Sequence, residues 1–204
     1  MRLFVAASVP DEIRTKLAVM KKRLEPLPVR WVRPEGIHLT LKFLGEIPEE
    51  RVERIEGALR RMAGCSPQEV EVRGIGAFPD RGRPRVIWAG LSACPGIARG
   101  PTRDADRDRG GDVAEVARLV SSIETALEQA GFPRETREFR AHLTLGRFRE
   151  PPRGEWRSAL NRHADEEFGT FRIEEFALYE SVLQPGGARY RVVSRFMIDG
   201  EKDV

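Results

Sequence analysis

The tetrapeptide His-Leu-Thr-Leu occurs twice in this chain, as His38-Leu39-Thr40-Leu41 and as His142-Leu143-Thr144-Leu145, and it takes up two of only three histidines. An apolar residue at every second position is the signature of a half-buried strand, in which successive side chains point to opposite faces. Each copy therefore sets an imidazole and a hydroxyl side by side on one surface while its leucines anchor the other surface in a core. If the two strands lie adjacent across a cleft, the result is a near-symmetric cup lined by two imidazoles and two hydroxyls.

The surroundings of each copy support strands alternating with helices. Leu3 to Val9 reads as a buried strand, and Pro10 opens a helix with Ile13, Leu17, Met20 and Leu24 on one side. After Val29–Ile47, read as two strands, a helix follows Pro48 with Val52, Ile55, Leu59 and Met62 inward. Strands are expected at 69–75 and 85–91, a third helix at 113–130, a strand at 139–148, a short helix near 155–164, and strands at 171–183 and 188–198. Strand, helix and His-Leu-Thr-Leu strand recur in that order in each half, so an α+β or α/β layered domain of two related lobes is expected. Residues 93–112, rich in Gly, Arg and Asp, read as an exposed flexible insertion.

Composition narrows the class. With 204 residues, 40% hydrophobic and 33% charged, the chain is ordinary globular material rather than disordered, collagen-like or coiled-coil. The longest uncharged stretch, Val86 to Ala98, is too short to cross a bilayer core of about 30 Å. Two cysteines, Cys65 and Cys94, without paired spacing point to a reducing compartment, so a cytoplasmic protein is expected. Net charge is only +3, but Met1 to Gly45 holds nine Lys or Arg against four acids, and Arg134 to Arg149 five against two. Both motif regions lean basic, which suits a phosphate-bearing ligand.

A phosphodiester requires a base for the nucleophile, an acid for the departing oxygen and donors for the nonbridging oxygens. Histidine, with a reference pKa of about 6.5, can serve as either base or acid near neutral pH. Threonine hydroxyls are compact donors. One His-x-Thr in a strand is usually structural; two, spending two of three histidines, point to catalysis. Two histidines without a third ligand in suitable spacing make a poor zinc set. His163, in a polar segment, reads as a solvent-exposed residue. No Walker sequence, dinucleotide fingerprint or nucleophile elbow is present.

WVRPEGIHLTLKFLGEI and REFRAHLTLGRF, with RLFVAASVP, GIGAFPDRGRPRVIWAGL and LYESVLQPGGARYRVV, resemble the 2H phosphoesterase superfamily, specifically its RNA 2′,3′-cyclic phosphodiesterases, also called 2′-5′ RNA ligases. The resemblance covers most of the chain. It implies a single bilobal α+β domain over 1–204, with pseudo-twofold symmetry, antiparallel sheets lining a central cleft and helices outside. It implies hydrolysis of cyclic-ended RNA or small cyclic nucleotides to 2′-phosphomonoesters without metal or cofactor; apart from the resemblance, a cytoplasmic monomer that does not engage membranes is expected. The family's catalytic histidines match His38 and His142, its phosphate-holding hydroxyls Thr40 and Thr144, and an Arg of its second motif Arg147. Strict alternation points Arg147 away from the cleft, so a bend or bulge near Gly146 is needed to bring it in. Phe43 matches an aromatic position of the family, but its place in the strand favours the core. Two other functions fit the same residues: 2′-5′ ligation of RNA ends at the same site, and a non-catalytic RNA-binding module that would bind through the histidines without turnover.

Overall fold

The computed structural model describes residues 1–62, 65–79, 82–93, 114–184 and 187–198. Apart from Ala93, which ends a strand, the expected insertion at 93–112 lies outside the described residues. Among the described residues, nine strands, β1 (Arg2–Ser8), β2 (Val29–Trp31), β3 (His38–Glu46), β4 (Gln68–Phe78), β5 (Val86–Ala93), β6 (His142–Phe148), β7 (Glu167–Ile173), β8 (Glu175–Gln184) and β9 (Gly187–Met197), form one antiparallel sheet in the order β7-β4-β5-β6-β3-β1-β8-β9, with β2 paired to β6. Four α-helices among the same residues, α1 (Asp11–Arg23), α2 (Val52–Arg60), α3 (Ala114–Gln129) and α4 (Trp156–Asn161), pack against it.

The topology carries a twofold relation. In β1-α1-β3 and in β5-α3-β6 the two strands are antiparallel neighbours, and β3 and β6 stand side by side at the centre of the sheet. Outside them, β8 and β9 on one flank answer β4 and β7 on the other. The long helices are exchanged: α1 packs on β7 and α3 on β3, whereas α2 and α4 stay with β9 and β4. The two sheets expected from the sequence are thus halves of one curled sheet, joined where Leu39 pairs with Leu143.

The core forms between the sheet and the helices. Leu39, Leu41, Leu143 and Leu145 meet Ile13, Leu17, Ile55, Leu119, Ile123 and Leu127 there, all with 3% or less of their surface exposed. Fully burying such a side chain contributes about 1.5–3 kcal/mol, so the leucines of the duplicated tetrapeptide hold the opposite face of β3 and β6 toward solvent.

Alternation fails just after each tetrapeptide. Along β3, Thr40 pairs with Ala6 but Lys42 with Val5, leaving Leu41 as an extra residue; along β6, Thr144 pairs with Trp88 but Gly146 with Ile87, leaving Leu145 extra. A one-residue bulge inverts the facing of everything beyond it. Lys42 consequently enters the core, and Phe43, expected inside, is 61% exposed. Gly146 is needed at the second bulge because β2 crosses there: a Cβ would lie 2.4 Å from Val29 Cγ1.

The inverted Lys42 is accommodated by a buried ion pair. Its Nζ donates to Glu124 Oε2 of α3 at 2.7 Å and to the Pro133 carbonyl at 2.9 Å, while Glu124 also accepts the Glu135 backbone N–H. This ties β3 to the segment that leads into β6. Other expectations shift modestly: 171–183 is divided at Glu174 into β7 and β8, and the short helix ends at Asn161. His163 is only 19% exposed, and its Nδ1 is 2.7 Å from Glu166, which Arg23 also bonds.

Lys42→Met leaves the Glu124 carboxylate buried without its cation and is expected to lower unfolding free energy in urea by about 3–5 kcal/mol. Adding Glu124→Gln, which keeps an acceptor for Glu135, should recover part of that loss. A change under about 1 kcal/mol for Lys42→Met alone would contradict the assignment.

Candidate active site

Antiparallel pairing of Leu39 with Leu143 fixes the neighbours on the opposite face. One step either way sets His38 across from Thr144 and Thr40 across from His142. Directly opposed side chains share a face, so all four residues of the duplicated motif meet on one surface. Each histidine thus stands beside the other copy's threonine.

Both rings are oriented by the same local contact. His38 Nδ1 lies 2.8 Å from the Gly36 carbonyl and His142 Nδ1 lies 2.7 Å from the Arg140 carbonyl, in each case two residues back along the chain. A carbonyl only accepts, so Nδ1 carries the hydrogen in both rings and Nε2 is the free nitrogen. A 3₁₀ turn at Pro34–Gly36 supplies the carbonyl for His38.

Electrostatics keep both rings neutral at pH 7. Burial pushes the His38 imidazole down to about 4, opposed by its Gly36 hydrogen bond and reinforced by His142. Burial also lowers His142, opposed by the Arg140 carbonyl and reinforced by the positive charges of Arg147 and Arg140. Charge on His142 therefore disfavours charge on His38.

The two flanks of this surface differ in chemistry. Around His38 stand Phe4 at 4.9 Å, Tyr190 edge-on at 5.0 Å and Tyr179 stacked at 6.3 Å between ring centroids, with Phe43 6.3 Å from Phe4. Around His142, Phe78 packs edge-on at 5.3 Å and carries the Arg140 guanidinium 5.4 Å above its ring. Trp88 lies behind Phe78 and over Gly76, where a Cβ would be 2.3 Å from Cζ2. The bulge at Leu145 turns exposed Arg147 onto this same surface, where its charge reaches His142. Phe43 comes to the surface by the corresponding bulge, correcting its expected core position.

His38, Thr40, His142, Thr144 and Arg147 are therefore gathered on one surface, whereas His163 stands apart with Glu166. Sequence reading missed the aromatic wall of Phe4, Tyr179 and Tyr190. The only signal was parity: Tyr179 pairs with Phe4, and Tyr190 lies two strand positions before Val192, which pairs with Tyr179. Among the described residues, no His, Cys, Asp and Glu group could hold a metal ion, and no helix is long and apolar enough to cross a membrane.

Known proteins share this arrangement over nearly the whole chain. An RNA 2′,3′-cyclic phosphodiesterase of Archaeoglobus fulgidus is 36% identical, covering 94% of this chain and 97% of its own, and one of Thermus thermophilus is 34% identical, covering 98% and 92%. A crystal structure of a Thermus thermophilus protein matches with a TM-score of 0.75 at 29% identity, covering 98% of this chain and all of that one. E. coli LigT complexed with 3′-AMP matches with a TM-score of 0.68 at 25% identity, over 97% of each chain. The LigT-like phosphoesterase profile matches residues 8–88 and 112–190, segments that contain both His-Leu-Thr-Leu strands. With sequence, architecture and motif placement in agreement, the chain belongs to the LigT-like phosphoesterase family.

Proposed function

We propose that the protein is an RNA 2′,3′-cyclic phosphodiesterase that opens the cyclic ester to a 2′-phosphomonoester by paired histidine acid-base chemistry. The observation that carries this reading is the matched pair of imidazoles, each with Nδ1–H on a carbonyl and Nε2 free, set beside the other motif's threonine. In-line displacement at phosphorus requires a base on one side and an acid on the other, and a twofold cup supplies both. Relatives named as RNA 2′,3′-cyclic phosphodiesterases support the substrate class.

The Thr40 and Thr144 hydroxyls donate to the nonbridging oxygens, and the Arg147 guanidinium adds positive charge. His142 Nε2 takes a proton from water as the water oxygen bonds to phosphorus. The bond from phosphorus to the 3′ oxygen breaks, and His38 Nε2–H delivers a proton to that oxygen. Atoms balance: one water enters and one 3′ hydroxyl with a 2′-phosphomonoester remains. The nearby charges of Arg147 and Arg140 favour neutral His142 and hence its role as base. His38 is depressed chiefly by burial, a penalty that an anionic substrate in the same pocket offsets, so it is the ring that acquires the proton on binding.

Ligation of RNA through a 2′,5′ linkage follows the same steps at the same residues, with an RNA 5′ hydroxyl in place of water as the nucleophile and the 3′ oxygen again leaving. A cytoplasmic setting is consistent with the free Cys65 thiol.

His38→Ala and His142→Ala are each expected to lower kcat on a nucleoside 2′,3′-cyclic phosphate by about 10²–10⁴. Retention of full turnover by the double variant would falsify the scheme and favour a module that binds RNA without chemistry. Both free histidines lie below 6.5, so the bell of kcat/KM should peak below pH 6.5, while kcat, which reports the anion-bound cleft, should peak at higher pH. Arg147→Gln removes a cation that depresses His142, so one limb of the kcat/KM bell should move to higher pH. A kcat/KM maximum above pH 7, or limbs unmoved by Arg147→Gln, would contradict the assignment.

A further inference from the structure

Arg30 of β2 is the direct cross-strand partner of Arg147 of β6. Like charges set opposite each other on one face of a sheet destabilise it, and their Cβ atoms are held within about 5.5 Å. Both side chains are exposed, and among the described residues neither has a carboxylate partner. Two cations set opposite each other in this way make this stretch of the surface favourable to an anion.

The position of the pair narrows the anion. Because Arg30 faces the same way as Arg147, the bulge at Leu145 that brings one onto the catalytic surface brings the other as well. Arg147 stands close enough to influence His142, so its charge belongs to the reacting phosphate. Arg30 lies one strand farther from β6. Its guanidinium closes over the start of β9 in the other half of the sheet: a Cβ at Gly187 would be 3.1 Å from Arg30 Nη2, and Gly187 has a φ of +116° that favours glycine. The charge is thereby held at the rim, bridging the two halves. An RNA with a cyclic phosphate at its 3′ end continues only in the 5′ direction, so the next anion along it is the phosphodiester on the 5′ side of the terminal nucleotide.

We infer that Arg30 forms a second phosphate subsite that takes the phosphodiester immediately 5′ of the cyclic-ended nucleotide, making the protein selective for RNA chains over mononucleoside cyclic phosphates. This rests on the cyclic phosphodiesterase reading and specifies its substrate. Arginine suits the task because its planar fork can donate two parallel hydrogen bonds to a phosphate.

Three substrates with the same terminal nucleoside 2′,3′-cyclic phosphate test the inference: the mononucleoside, the dinucleotide, and the dinucleotide whose internal linkage is an uncharged methylphosphonate. For the native protein, kcat/KM should be roughly tenfold or more higher for the charged dinucleotide than for the methylphosphonate one, and the ratio should shrink as ionic strength rises. Arg30→Ala should bring the ratio close to one, and Arg30→Lys should leave an intermediate value. Equal kcat/KM for the two dinucleotides with native protein would overturn the subsite whatever the variants do, as would a full ratio in Arg30→Ala. Turnover of the mononucleoside without any charge preference removes only the subsite, whereas no turnover of any of the three removes the hydrolytic reading as well.

Discussion

The site depends on the pairing of Leu39 with Leu143, which joins the two halves of the sheet at their central strands. Both leucines are fully buried, so neither strand can slip by one residue without moving its apolar set to the solvent face and its imidazole into the core. This register brings residues from distant parts of the sequence together. Lys42, Glu124 and the chain at Pro133–Glu135 reinforce it from the core side, tying the strand of one motif to the approach of the other. The exchange of α1 and α3 between the halves works in the same direction, since each half is covered by a helix that follows a strand of the other.

On this frame the proposed catalytic surface is symmetric in its motif and asymmetric in its walls. The motif supplies two imidazoles in one tautomer and two hydroxyls, and each ring is oriented at Nδ1 by a backbone carbonyl, where a Ser-His-Asp triad uses a carboxylate. The walls differentiate them. Phe4, Tyr179 and Tyr190 surround His38 with rings, while Arg147 and Arg140 stand beside His142 and Arg30 is the cross-strand partner of Arg147. Burial lowers both rings, and the cations beside His142 lower it further, so that under the proposed scheme two nearly identical rings can take opposite roles.

Much of this was legible in the sequence because a period of two is a strong signal. The facing of His38, Thr40, His142 and Thr144, the four helices and the twofold order of elements all follow from apolar spacing. Legibility ended at Leu41 and Leu145. A bulge inserts one residue without changing the composition of a strand, so alternation assigned Phe43 to the core and left Lys42 outside, the reverse of the structure. The glycine at 146 gave a cue in one copy, and lysine at the equivalent position in the other gave none. The division of 171–183 was hidden because Glu174 alone separates β7 from β8. Arg30 was invisible for another reason: a three-residue strand carries too little periodicity to announce which strand it pairs with.

The most direct test of the placement is nitrogen-15 NMR of the imidazoles while a nucleoside 2′-monophosphate is added at pH 7. In free protein, His38 and His142 should both show the Nδ1–H tautomer, and both Nε2 resonances should shift together up to one equivalent of ligand, with His38 moving toward the imidazolium value. An Nε2–H tautomer in either ring, or a response confined to one of them, would contradict a shared pocket.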